Sequence, residues 1–156
     1  MNNFERMMKL ADEVFQVKDD PSQLDVDESV IERLLEIHPA SVSEYDDGNG
    51  PAAWILLIPT TKQLMDEFLE KKISEKDLFE RTPVGILYDS IYLCSAMVLE
   101  EYRRKGVAKK LTMDAVQRIR DDHPIKHLFV WAFSDAGTAA AQALSKITGL
   151  PLHNRE

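Results

Sequence analysis

Apolar residues recur along this chain with two periods, and the change from one to the other predicts the order of its elements. Phe4, Met7, Met8, Ala11, Val14 and Phe15 fall on one helical stripe, so residues 4–18 are expected to form an amphipathic helix ended by Asp19-Asp20-Pro21. Asp25-x-x-Glu28 has the form of a capping box, and Val30, Ile31, Leu34, Leu35 and Ile37 carry a second helix to His38-Pro39. His38 has no second His or Cys at ligand spacing and reads as a helix-end residue. Residues 41–51 hold turn chemistry, Asp46-Asp47-Gly48-Asn49-Gly50-Pro51, and read as an exposed loop, with Ser41 to Tyr45 as a candidate edge strand. Ala52 to Ile58 is a short apolar run expected to be a strand. Pro59-Thr60-Thr61 then caps a helix carrying Leu64, Met65, Phe68 and Leu69, and Ser74-x-x-Asp77 opens a further short one. Pro83 to Tyr88 reads as a strand, with Asp89-Ser90 as a tight turn joining it to the next in a hairpin.

Ile91 to Leu99 is apolar on both alternating sets, with only Ser95 interrupting. A strand buried on both faces is central in its sheet. Cys94 within it reads as a small buried core residue, since no nearby His would support a thiolate. Ala108, Leu111, Thr112, Ala115, Val116 and Ile119 then form a helical stripe that Asp122-His123-Pro124 terminates. Leu128 to Phe133 reads as another buried strand, and strand, helix, strand in succession implies a right-handed parallel crossover. The last helix begins near Ser134-Asp135, runs through Ala136, Ala139, Ala140, Ala143, Leu144 and Ile147, and stops at Gly149. No repeat or linker divides the chain. Residues 1–156 are read as a single α/β domain, a central mixed sheet flanked by helices, with a helical N-terminus and a shortened C-terminus.

Composition narrows the functional classes. The formal charge is -8, which gives no general attraction to nucleic acid or to an anionic membrane. Cys94 is the single cysteine, which excludes an intrachain disulfide and a cysteine-based zinc cluster, and no metal is expected. With no secretory signal and no apolar run of spanning length, a cytoplasmic protein is expected; a homodimer is left open.

Against the acidic total, Arg103, Arg104, Lys105, Lys109 and Lys110 gather with no acid among them, around Gly106 at the start of a helix. The first amides of a helix lack internal partners and carry partial positive charge. Strand, basic glycine loop and helix together make a pyrophosphate cradle. A Cβ on Gly106 is expected to obstruct a phosphate while sparing the fold, because a first helical turn accepts alanine.

The stretch Val98-Leu99-Glu100-Glu101-Tyr102-Arg103-Arg104-Lys105-Gly106-Val107-Ala108 resembles the Arg/Gln-x-x-Gly-x-Gly/Ala signature of the GCN5-related N-acetyltransferases, and the likeness extends over about residues 83–150. The resemblance implies acetyl-coenzyme A as co-substrate. Main-chain groups near Met97 and Val98 would bond its pantetheine arm in a gap between splayed strands. The amides of Arg103, Arg104, Lys105, Gly106, Val107 and Ala108 would hold its pyrophosphate. The family's last-helix motif aligns with Thr138, Ala141, Leu144 and Ser145, so Thr138 would touch the arm. Ser145 would stand where the family has the tyrosine thought to protonate the departing thiolate. The family normally begins with a strand and closes with a hairpin, whereas this chain begins with helices and has little sequence after the last one. No Asp or Glu lies within Ile91 to Leu99 to serve as a base, which leaves Tyr92 or a water held by Ser95 in that role and Ser145 as the candidate acid. The implied reaction is acetyl transfer to the amine of a small molecule or peptide by direct attack. The alternative is a catalytically degenerate module that binds coenzyme A or a protein partner.

Overall fold

The computed structural model describes residues 2–17, 27–103, 105–132 and 135–156. Two helices come first, α1 (Asn3–Val17) and α2 (Glu28–Ile37). Strands β1 (Val42–Asp46) and β2 (Pro51–Thr60) follow, then the short helices α3 (Lys62–Leu69) and α4 (Glu75–Arg81). The second half alternates: β3 (Ser90–Val98), α5 (Val107–Asp122), β4 (His127–Val130), α6 (Asp135–Thr148) and β5 (Leu152–Asn154). The strands form one sheet in the order β1-β2-β3-β4-β5, antiparallel through β3 and parallel from β3 onward. β3 is therefore central, as its two-sided apolar run requires.

Local chemistry explains the helix starts. Asn2 accepts the Glu5 amide at 2.8 Å, Asp27 accepts from Val30, Thr61 from Leu64, and Ser74 with Asp77 closes the full capping box read from the sequence. The cap of α2 is Asp27; Asp25, and the Asp19-Asp20-Pro21 stop after α1, lie outside the described residues. His38 ends α2 as expected. Its Nδ1 accepts the Ala40 amide at 2.9 Å and its Nε2 donates to Asp122 at 2.7 Å, tying α2 to the far end of α5.

Register assigns the helices to faces. Ile58 pairs with Tyr92, and Tyr92 with Phe129, so these side chains share one face. Phe68 of α3 packs edge-on against Tyr92, Phe129 and Trp131 there. Trp54 has the same parity on β2 and meets Phe4 of α1, so α1 and α3 cover this face. Ile55 and Leu57 point to the other, where α5 and α6 lie.

Three expectations are corrected. Pro83 to Tyr88 is no strand and no hairpin follows it. Pro83 has no amide to donate, Gly85 takes φ +84°, and the Tyr88 hydroxyl donates back to the Pro83 carbonyl at 2.5 Å, closing residues 83–88 into a loop. Val84, Ile86 and Leu87 stay exposed on it. The loop expected over residues 41–51 is confined to 47–50, and the candidate edge strand is present as residues 42–46, with Val42 to Tyr45 paired to Ala53 to Leu56. The strand read as Leu128 to Phe133 ends at Val130; Trp131 and Ala132 have left the sheet, and Phe133 with Ser134 lies outside the described residues. The C-terminal segment, expected to be shortened, adds only the three-residue β5 parallel to β4, after Gly149 in the left-handed region at φ +73°.

Candidate functional site

The site begins with one surplus residue. Leu57 pairs with Leu93 and Leu56 with Ser95, so Cys94 is an extra residue in the register and β3 bulges there. On the opposite side, pairing with β4 stops at the same place, Leu93 with Val130. Beyond it β3 continues to Val98 paired with β2, while the described residues after Val130 leave the sheet. The two strands splay, and the gap opens a cleft of about 510 Å³, a volume in the usual range for a small-molecule site. Leu93 to Ala96 form one wall, Val130 to Ala132 another, and α5 and α6 the rest through Ala108, Thr112, Gly137, Ala140, Ala141 and Leu144. Small residues on α6 let it stand close without filling the space.

At the mouth of the cleft α5 begins at Gly106, with φ +71° and no side-chain cap. The starts of α1 to α4 each have a side chain accepting an amide; that of α5 leaves its first N–H groups for something else. Lys109 lines the cleft beside Gly106 and Arg103. The loop that carries them is held from several directions. Arg103 Nε donates to the Val98 carbonyl at 3.0 Å. The Tyr102 hydroxyl donates to Asp47 at 2.7 Å, and Arg6 of α1 forms a two-toothed pair with Glu101 at 2.5 and 2.6 Å. Arg6 draws the Glu101 carboxyl down to about 2.

The residues expected to bind the co-substrate fall in three groups. Arg103, Gly106 and Ala108 line the cleft. Lys105 and Val107 line a smaller depression on the other side of Gly106, with Tyr45 and Lys110, and the Lys105 ammonium sits 5.3 Å over the Tyr102 ring. Met97 and Val98 are buried with Met7, Ala53 and Tyr102 beyond the cleft, whose β3 wall is the preceding stretch, Leu93 to Ala96. Thr138 is half-buried on α6, next to the lining residue Gly137, and Arg104 lies outside the described residues. Gly106 departs from the expectation of an ordinary first-turn residue. Its left-handed φ strains any L side chain although a Cβ would meet no atom within 4 Å, so substitution costs backbone energy whether or not ligand is present. Cys94, expected in the core, is only half-buried and faces the cleft, because the bulge turns it out of the sheet.

Two of the catalytic candidates are occupied elsewhere. Ser145 Oγ donates to the Leu150 carbonyl at 2.5 Å, bracing the turn after α6. The Tyr92 ring is buried between Phe68 and Phe129, and its hydroxyl donates to Glu75, itself 2% exposed. Burial first, and the Glu75 charge second, push the Tyr92 hydroxyl well above its ordinary range, so it stays protonated. Glu75 and the residues of the bulge were not legible as site neighbours, because the spacing of the chain carries no mark of either. Among the described residues no group of His, Cys, Asp and Glu is gathered as for a metal, and no helix is long and apolar enough to cross a membrane.

Comparison with curated proteins finds no match. The family model described as the acetyltransferase (GNAT) family matches residues 4–149, reaching well N-terminal to the stretch that carries the sequence motif.

Proposed function

Because the chain belongs to the acetyltransferase (GNAT) family, we propose that it binds acetyl-coenzyme A in the cleft between β3 and β4 and transfers the acetyl group to an amine. The observation that carries this reading is the coincidence of two features: a strand that lacks its neighbour past Leu93, and an uncapped, lysine-flanked helix start at its far end. The pantetheine arm lies along β3 beyond Leu93, where its pairing with β4 ends, and the pyrophosphate rests on the first amides of α5 with Arg103 and Lys109 beside it. The amine nitrogen attacks the thioester carbon and negative charge develops on the carbonyl oxygen. Backbone N–H groups of the open β3 stretch stabilise it, and the intermediate expels the coenzyme A thiolate while the ammonium proton passes to water. With Ser145 and Tyr92 both engaged elsewhere, most of the acceleration comes from holding the amine against the thioester. Those same engagements favour a second reading, a degenerate module that binds coenzyme A without turnover.

Thermal unfolding with and without acetyl-coenzyme A tests the binding step, since a ligand of the native state alone raises the midpoint. Added sodium chloride is expected to reduce the shift, because exposed cations face the phosphates. No shift at millimolar ligand removes the proposal. A shift without acetylation of any amine in a broad panel selects the degenerate module.

A further inference from the structure

The acidic turn between β1 and β2 stands outside the cleft, yet it is built to one shape and reaches the loop that leads into α5. Asp46 accepts the Gly48 and Gly50 amides at 2.8 and 3.1 Å, and Asp47 accepts the Asn49 amide at 3.2 Å. Acids that satisfy the backbone of their own turn in this way hold it in one conformation. The turn lies at the end of the sheet where β3 leaves it, since Leu99 donates to the Ala52 carbonyl at 2.9 Å. From there Asp47 accepts the hydrogen bond of the Tyr102 hydroxyl at 2.7 Å.

Tyr102 is the point through which the loop between β3 and α5 is held. Its ring is buried with Met97 and Val98. Its carbonyl accepts the Lys105 amide at 3.3 Å, which shapes the turn into Gly106, and the Lys105 ammonium lies 5.3 Å over the ring. Arg103, the next residue, lines the cleft. From Arg103 to Lys110 the sequence holds five cations and no acid. Like charges so close push a loop apart when no phosphate is present to draw them together. Asp47 brings an opposite charge and a fixed tether from across space, and the Tyr102 hydroxyl holds its carboxyl below the usual range.

We propose that Asp47 and Tyr102 are positioning residues for the co-substrate: their hydrogen bond sets the loop between β3 and α5 in its phosphate-binding shape before the ligand arrives. Binding then bears less of the cost of ordering the loop. The proposal rests on the acetyl-coenzyme A reading above.

The test measures three affinities by calorimetry. The ligands are acetyl-coenzyme A, S-acetylpantetheine, which has the same arm and thioester without phosphates, and ADP, which has the diphosphate without the arm. Tyr102→Phe keeps the ring and its Lys105 contact and removes only the hydroxyl. It should weaken acetyl-coenzyme A and ADP about three- to tenfold and S-acetylpantetheine far less. Asp47→Ala should do the same, and Asp47→Asn, whose amide oxygen still accepts, should regain most of the loss. The double variant Tyr102→Phe/Asp47→Ala should be no worse than either single one, because both remove the same bond. An equal loss for acetyl-coenzyme A and S-acetylpantetheine marks a general structural effect and overturns the proposal. So do additive losses in the double variant, or full acetyl-coenzyme A affinity in Tyr102→Phe. Should S-acetylpantetheine bind too weakly to measure, ADP decides: a loss matching that of acetyl-coenzyme A supports the assignment and an unchanged affinity ends it. Should Asp47→Ala not fold, Tyr102→Phe and Asp47→Asn decide by the same outcomes. No acetyl-coenzyme A binding by the unaltered chain removes the parent reading and this one with it, whereas binding indifferent to Tyr102 removes this one alone.

Discussion

The two halves of β3 are made of similar residues and do opposite things. From Ser90 to Leu93 the strand is bonded on both sides, to β2 and β4, and Ile91 and Tyr92 are almost wholly buried. From Ser95 onward, among the described residues, it pairs with β2 and no longer with β4, and Ala96 is exposed to the cleft. Between them stands one unmatched residue. Apolar character alone therefore does not distinguish a stretch that stabilises the molecule from one that forms a site. What separates them is whether the backbone on the open side has a partner.

This difference can be tested from the largest effect to the smallest. Ile91→Ala in the bonded half should cost about 2–5 kcal/mol of stability, measured by urea unfolding, because Ile91 is fully buried against a close-packed core. A cost under about 1 kcal/mol would mean the two halves do not differ as described. Ala96→Phe in the open half should leave the apo midpoint nearly unchanged. It should weaken acetyl-coenzyme A at least about tenfold, roughly 1.4 kcal/mol, by filling the cleft. Gly106→Ala should show both kinds of effect: about 1 kcal/mol lost from the apo protein through its left-handed φ, and weaker ligand binding on top. Gly106→Asn, which tolerates that region, should recover most of the stability. The smallest effect concerns the loop after the open half. Glu101 falls from its ordinary 4.5 to about 2 on account of Arg6. A folded-state value below the unfolded one stabilises above pH 4.5, and that contribution is lost as pH falls toward 2. Glu101→Gln should flatten the acid limb of stability in that window, and an unchanged limb would show that the pair does not anchor the loop in solution.

The sequence made the helices legible because their signals are local: a stripe at helical spacing and a cap within a few residues, as at Thr61 and Ser74. The central strand and the glycine loop were legible for the same reason. Residues 83–88 misled because an apolar run reports preference and not burial, and here a proline and a glycine keep the run out of the sheet. β1 was legible only as one of two readings of its segment, because Ser43 and Glu44 are polar residues that an outer strand tolerates as readily as a loop does. Met97 and Val98 were named for the cleft where Leu93 to Ala96 line it, because a bulge shifts register without any residue type that announces it. The contact of Arg155 with Trp131 and Phe68 was not legible either, because it depends on β5 running parallel to β4, and a pairing of that kind is not written in either segment.

The unmatched Cys94 also bears on how the protein can change over time. A wall built from the peptide groups of a strand offers the same donors and acceptors whatever side chains it carries. Substitutions from Cys94 to Ala96 should therefore be judged by the cleft mainly on bulk, and exchanges among small residues should pass with little effect. A deletion of a single residue there is a different event. It would remove the bulge and restore an unbroken ladder with β2, leaving Ser95 to Val98 opposite the same β2 residues but straightening the strand that forms the cleft wall. The site is thus tolerant of replacement and intolerant of a change in length, and a mutational scan that includes deletions would show the asymmetry centred on position 94.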